Sequence, residues 1–261
     1  MQASLAVSLH SEIGGTDPSD RGRRIVLLHG FTQTARCWDP IDADLGRDHE
    51  VVRLDAPGHG DGASSAVRAD LSETAWLIAE AGGPAIYVGY SMGARMALHV
   101  VLEQRAVVQG LVLVGGTPGI ADAGERAERR SRDRALAQRV RTEGVAAFLD
   151  FWLAQPLFAG LPPAGRFEDE RRRNSAEGLA SSLELAGTGS QASRWGDLAG
   201  IDVPTLVVAG ADDTRYADIA RRTAAAIGAN ATAELVPGAG HTAHLEQPGA
   251  FLQVLRDWLP D

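Results

Sequence analysis

Gly89-Tyr90-Ser91-Met92-Gly93 follows an apolar run, Ala85-Ile86-Tyr87-Val88, and opens a helix-like stretch from Met92 to Gln104. A Gly-x-Ser-x-Gly between a strand and a helix forces its serine into a tight turn. The flanking glycines let the two elements approach without a Cβ clash. The hydroxyl is then carried to the carboxyl end of a parallel sheet, over a helix N-terminus that favours developing negative charge. Alone, a five-residue pattern of this kind recurs by chance, so its weight depends on what lies downstream.

Two further apolar runs end in suitable partners. Residues 204–209 lead into Gly210-Ala211-Asp212-Asp213, and residues 233–236 lead toward Gly238-Ala239-Gly240-His241. The order serine, aspartate, histidine, each after a strand, is the order of the α/β-hydrolases. There the imidazole, here His241, takes the hydroxyl proton of Ser91, and a carboxylate holds the far ring nitrogen. Asp213 is preferred as the acid, because that pattern usually places it three residues after the strand-end glycine. Asp212 is the alternative and otherwise reads as a turn or cap residue. His244 reads as a residue near the start of the last helix. Residues 24–28 form a strand that ends in His29-Gly30-Phe31. The backbone N–H groups of Phe31 and Met92 are therefore the expected oxyanion hole.

With 261 residues, 44% hydrophobic and 23% charged, the chain can bury one sizeable core. A formal charge of −9 argues against nucleic acid as a partner. All 25 basic residues are arginine, which removes lysine nucleophiles and Schiff-base chemistry. The one cysteine, Cys37, excludes an internal disulfide, and the seven histidines lack ligand spacing, so no metal is expected. The N-terminus lacks signal-peptide features and no apolar run is long enough to span a membrane. The expectation is a cytoplasmic monomer or small homo-oligomer with no membrane partner.

Strand-like runs at 5–9, 24–28, 50–54, 85–89, 110–114, 204–209 and 233–236 alternate with amphipathic stretches such as 69–81, 92–104 and 216–227. A last helix at 249–259 follows Pro248. This alternation predicts a mostly parallel sheet with helices on both faces. It breaks between about 117 and 202. That stretch holds a charged helix at 123–143, the aromatic segment Phe148-Leu149-Asp150-Phe151-Trp152, a turn at Leu161-Pro162-Pro163 and further helical sequence to Trp195. An all-helical insertion after the sixth strand would sit over the carboxyl edge of the sheet, above Ser91. Residues 117–202 are thus expected to cap a core of 1–116 and 203–261.

Several segments occur in a common register: Gly89 to Arg95, Phe151-Trp152-Leu153-Ala154-Gln155-Pro156-Leu157-Phe158, Arg173-Asn174 with Gly178-Leu179-Ala180, Gly187-Thr188-Gly189, and Gly240-His241 with His244 and Glu246. Together they resemble the 2-succinyl-6-hydroxy-2,4-cyclohexadiene-1-carboxylate synthases, menaquinone-pathway members of the α/β-hydrolase superfamily. The cap segments are the more specific part of the likeness. Ala94 departs from it, standing where the family commonly has a second glycine.

The resemblance implies that three arginines, matched to Arg95, Arg129 and Arg173, bind the carboxylates of a multiply anionic substrate. It also implies that Tyr90, Trp152 and Phe158 wall the pocket. Arg95 has independent support: a guanidinium among Met92, Met96, Ala97 and Leu98 is costly unless paired, and its planar fork suits a carboxylate. Its plainer reading is an ion pair with a cap carboxylate. Arg129 and Arg173 sit in charge-rich runs that, read alone, are solvated helix faces.

The implied reaction is elimination of pyruvate from 2-succinyl-5-enolpyruvyl-6-hydroxy-3-cyclohexene-1-carboxylate, with no metal or organic cofactor. Ser91 and His241 would act as the base, and the Phe31 and Met92 amides would hold the oxyanion. The same triad permits a carboxylesterase or carbon–carbon bond hydrolase with Ser91 as covalent nucleophile. A receptor that retains a hydrolase pocket is a further reading, disfavoured by the intact serine, aspartate and histidine.

Overall fold

Strands rich in valine, isoleucine and leucine, without a polar alternation, are built to be covered on both faces. The computed structural model describes residues 11–14, 22–60 and 63–259 and has this arrangement. Its strands are β1 (Ser11–Gly14), β2 (Arg24–Leu28), β3 (Glu50–Leu54), β4 (Ala85–Tyr90), β5 (Val108–Val114), β6 (Thr205–Gly210) and β7 (Ala231–Val236). Among the described residues they form one seven-stranded sheet in the order β1-β3-β2-β4-β5-β6-β7. β1 pairs antiparallel with β3, and every other pairing is parallel. The strand expected at 5–9 lies outside the described residues, and β1 itself was not anticipated.

The helices are α1 (Asp39–Leu45), α2 (Leu71–Gly82), α3 (Met92–Glu103), α4 (Ala123–Leu153), α5 (Glu168–Arg172), α6 (Ala176–Ala186), α7 (Thr214–Ile227), α8 (Ala243–Glu246) and α9 (Pro248–Trp258). Side chains alternate between the sheet faces as the strand pleat demands. Ile25, Leu27, Val88 and Val112 pack with Ile41 and Leu45 of α1 and Phe251 and Leu255 of α9. Val26, Leu28, Tyr87 and Leu113 pack the other way, with Ile78 of α2, Met96 of α3 and Ala220 of α7. Each fully buried large aliphatic contributes about 1.5–3 kcal/mol over its exposed state. No helix among the described residues is long and apolar enough to cross a membrane.

The insertion leaves the sheet at the end of β5, the fifth described strand, and returns at β6. It contains α4, α5 and α6 and short 3-10 turns. The charged helix and the aromatic segment of the sequence are two halves of α4, separated by Gly144, whose φ of 79° interrupts the helix. α4 packs on α6 through Ala137, Val140, Phe148, Leu179 and Leu183, and Phe31 from the loop after β2 joins that cluster. The insertion thus rests on the carboxyl ends of the central strands.

Candidate active site

The turn between β4 and α3 admits only glycine at its flanks. A Cβ on Gly89 would lie 2.2 Å from the Gly93 carbonyl oxygen, and one on Gly93 would lie 2.1 Å from that of Leu28. Ser91 between them has φ 53° and ψ −104°. A non-glycine residue at positive φ persists only where its surroundings hold it. Here the Ser91 N–H donates to the Val114 carbonyl at 2.8 Å. Met92 follows as the first residue of α3, so its N–H has no acceptor within the helix and is available at the serine.

β6 and β7 bring the partners. His241 Nε2 lies 3.3 Å from Ser91 Oγ, and His241 Nδ1 lies 3.0 Å from Asp213 Oδ2. The other Asp213 oxygen accepts the Tyr216 N–H at 3.1 Å, capping α7. Burial of Asp213 raises its carboxyl, but the hydrogen bonds from His241 and the Tyr216 N–H outweigh it and hold the group below its ordinary value. Asp212 is exposed, and its N–H donates to the Ala239 carbonyl at 2.9 Å. The imidazole also contacts two tyrosine rings, with centroids 4.4 Å away at Tyr216 and 5.5 Å at Tyr90. The arrangement can move the serine proton to His241 while Asp213 faces the positive charge that results.

Buried histidines brace the loop that carries Phe31. His29 Nδ1 lies 2.8 Å from the Gly30 carbonyl, and the Ala56 N–H donates to Nε2 at 3.0 Å. Accepting at Nε2 requires the proton on Nδ1. Burial pushes His29 down to about 4 and His59 down to about 3, so both are neutral near pH 7. Gln33 Oε1 accepts the Gly30 N–H at 2.8 Å. Thr32, at φ 68°, is held by Asn174, which donates to its carbonyl at 2.7 Å.

A cavity over Ser91 gathers Phe31, Tyr90, Met92, Trp152, Phe158 and His241. Three arginines reach the same cavity: Arg95, Arg129 and Arg171. Arg95 is buried and donates to the Ala186 carbonyl at 2.7 Å and to Gln191 Oε1 at 3.4 Å. The ion pair that would have explained it blandly is not found among the described residues. Burial, with Arg129 adding its repulsion, pushes Arg95 down to about 10, so it remains charged. Arg129 Nε bonds Asp133 Oδ1 at 2.8 Å, and Asp133 also accepts the Gly189 N–H at 2.9 Å. Arg171 is buried; Nε donates to the Arg166 carbonyl at 2.6 Å and Nη1 to Thr32 Oγ1.

Arg173 is a correction. It does not line this cavity but sits in a separate, small pocket with Glu12, Arg36 and Glu170, and it pairs with Glu170 Oε2 at 3.1 Å. Successive helical residues turn by about 100°, and Arg173 caps α5 with helical backbone angles, so it faces nearly opposite to Arg171. The inward member of the arginine run is Arg171. Among the described residues no group of three or more His, Cys, Asp or Glu side chains is placed to hold a metal ion.

The sequence-profile match decides the family. Residues 25–254 match the Alpha/beta hydrolase family. The chain belongs to the alpha/beta hydrolase family. Within it, its relatives include the 2-succinyl-6-hydroxy-2,4-cyclohexadiene-1-carboxylate synthases of Serratia proteamaculans, 34% identical over 90% of this chain and 92% of that one, and of Klebsiella pneumoniae, 33% identical over 88% and 91%. The structure of MenH from S. aureus superposes with a TM-score of 0.89 at 28% identity, covering 96% of this chain and 97% of that one. This alpha/beta hydrolase is therefore an enzyme of the family that the cap segments resemble.

The cavity residues of this hydrolase that sequence reasoning did not place there include Gln33, Asp133, Thr188 and Tyr216 besides Arg171. Tyr216 was within reach, because a residue three after the acid on a helix returns over it. Asp133 was signalled by the Gly187-Thr188-Gly189 motif. A Cβ on Gly187 would lie 2.8 Å from Asp133 Oδ2, and one on Gly189 would lie 2.2 Å from the Arg130 nitrogen.

Proposed function

We propose that this enzyme is a lyase of menaquinone biosynthesis. It would eliminate pyruvate from 2-succinyl-5-enolpyruvyl-6-hydroxy-3-cyclohexene-1-carboxylate to give 2-succinyl-6-hydroxy-2,4-cyclohexadiene-1-carboxylate. The observation that carries the reading is the convergence of Arg95, Arg129 and Arg171 on the cavity that holds Ser91. Three guanidiniums against one carboxylate, Asp133, make a positive mouth suited to a multiply anionic substrate. The names of the relatives support the same substrate.

In this reading Ser91, Asp213 and His241 form the catalytic set. Ser91 Oγ removes the ring proton α to the succinyl carbonyl as its own proton passes to His241 Nε2. The electron pair left behind becomes an enolate, whose oxygen is held by the Phe31 and Met92 N–H groups. The electrons then move through the ring double bond and expel the enolpyruvyl oxygen at the far carbon. Ser91 keeps the proton taken from the ring, His241 gives its proton to the departing oxygen, and the enol so released becomes pyruvate. Tyr90, Trp152 and Phe158 shape the apolar walls, and residues 117–202 act as a cap over a core of 1–116 and 203–261. Proton transfer and fixed dipoles supply the chemistry without metal or organic cofactor, in a cytoplasmic monomer or small homo-oligomer.

The test is pyruvate release from the enolpyruvyl substrate, coupled to lactate dehydrogenase and compared with the spontaneous rate. Acceleration that is lost in Ser91→Ala is the expected result. A wild-type rate equal to the spontaneous one refutes the assignment.

A further inference from the structure

The imidazole must reach Ser91, yet it projects from a loop and not from a rigid element. What fixes that loop is a carboxylate. Glu246 Oε2 accepts the Gly240 N–H at 2.7 Å, and Oε1 accepts the Thr242 N–H at 2.8 Å. These are the backbone donors on either side of His241. The Glu246 N–H itself donates to the Thr242 carbonyl at 2.9 Å, which closes the turn. Both oxygens of one side chain thus hold the backbone before and after the histidine. Charge-assisted bonds of this kind are the strong ones. The Thr242 hydroxyl is separately tied to the Tyr90 hydroxyl at 3.0 Å.

The clamp is also where the insertion touches the histidine loop. A Cβ on Gly160 would lie 2.3 Å from Glu246 Oε2, so a larger residue there would have to push the carboxylate aside. The neighbouring Leu245 packs with Leu153, Phe158 and Leu161 of the insertion. Phe158 lines the cavity.

We propose that Glu246 is a positioning residue that sets His241 for proton transfer and registers it against the insertion at Gly160. The proposal rests on the catalytic reading given above. Glu246 is not among the residues that line the cavity over Ser91; it acts through the imidazole. Its loss should therefore slow the step that His241 performs and leave substrate affinity intact.

The experiment compares Glu246→Ala, Glu246→Gln and Gly160→Ala with wild type and with Glu177→Gln, a surface control on α6. Glu246→Ala should lower kcat for pyruvate release about 10- to 100-fold, the scale of a misplaced catalytic group, with KM within about threefold. Glu246→Gln keeps one acceptor oxygen and should fall between wild type and alanine. Gly160→Ala should lower kcat in the same direction, because its methyl displaces the carboxylate. A second readout needs no substrate: the low-field NMR resonance of the proton between His241 and Asp213. It should broaden or shift in the Glu246 and Gly160 variants and stay put in Glu177→Gln. If wild type fails to release pyruvate, the lyase reading is lost while this resonance still decides the clamp. A resonance unchanged in Glu246→Ala, with kcat near wild type or the whole loss in KM, overturns the proposal. Should Glu246→Ala fail to fold, Glu246→Gln below its Tm carries the same comparison.

Discussion

Arg171→Ala set against Arg173→Ala separates the structure from the sequence pattern, because the two positions are two residues apart and point to different surroundings. Arg171 is 1% exposed and faces the cavity. The side chain of Arg173 is 35% exposed and pairs with Glu170. A charge-assisted contact to a substrate carboxylate contributes about 1.5–3 kcal/mol, so Arg171→Ala should lower kcat/KM by roughly 10- to 150-fold. If the contact holds ground state and transition state alike, the loss falls mainly in KM. Arg171 also donates to the Arg166 carbonyl and to Thr32 Oγ1. Its removal leaves those acceptors to find other partners, at about 1–3 kcal/mol of stability each. Tm is therefore measured alongside, and kinetics are run well below the lower transition. An exposed pair such as Arg173 with Glu170 is worth about 0–1 kcal/mol. Arg173→Ala should thus stay within about twofold of wild type in pyruvate release. Equal losses in the two variants, or a normal kcat/KM in Arg171→Ala, would refute the placement of the anionic site.

Ser91→Ala and His241→Ala should each remove most of the pyruvate release while far-UV circular dichroism stays unchanged. Asp213→Asn should be severely impaired and Asp212→Asn nearly normal; the opposite ranking would reassign the acid. Burial holds His29 at about 4 and His59 and His244 at about 3, so below about pH 6.5 the unfolded chain binds protons that the native chain refuses. Stability should be full above about pH 6.5 and fall toward pH 4.5, by up to about 1.4 kcal/mol per pH unit for each histidine; a flat urea midpoint over that range counts against their burial. A Cβ on Gly116 would lie 2.5 Å from that of Ala94, so Gly116→Ala should cost about 1–3 kcal/mol and Ala94→Gly in the same chain should recover most of it in a denaturation series.

The constellation of Ser91, Asp213 and His241 that the structure brings together was legible because its information is local. A strand, a tight glycine turn and a helix can be read within a dozen residues around Ser91, and each partner follows its own apolar run. Asp213 over Asp212 was also readable, since one residue of offset turns a side chain away from the imidazole. The arginine of α5 was not. In Arg171-Arg172-Arg173 three identical side chains run through the end and cap of one short helix, and only the way that helix docks on Thr32 decides which one faces inward. β1 was missed for a related reason: Ser-Glu-Ile-Gly has no apolar pattern, and it is a strand because the edge of β3 offers it partners. The long α4 was expected as two segments, and Gly144 is where they part.

The insertion between β5 and β6 has a consequence for how the enzyme comes into being. Pairing those strands closes a loop of about 90 residues, an entropic cost on the order of 4 kcal/mol. Contacts between α4 and α6 inside the loop offset part of it. Strands β2 to β5 close shorter loops, so the serine turn can form early in folding. Asp213 and His241 arrive only with the strands made last. On the proposed mechanism, a nascent or half-folded chain would carry its serine without its base and be chemically silent. Pulse-labelled hydrogen exchange should see protection at Val88 before protection at Val208.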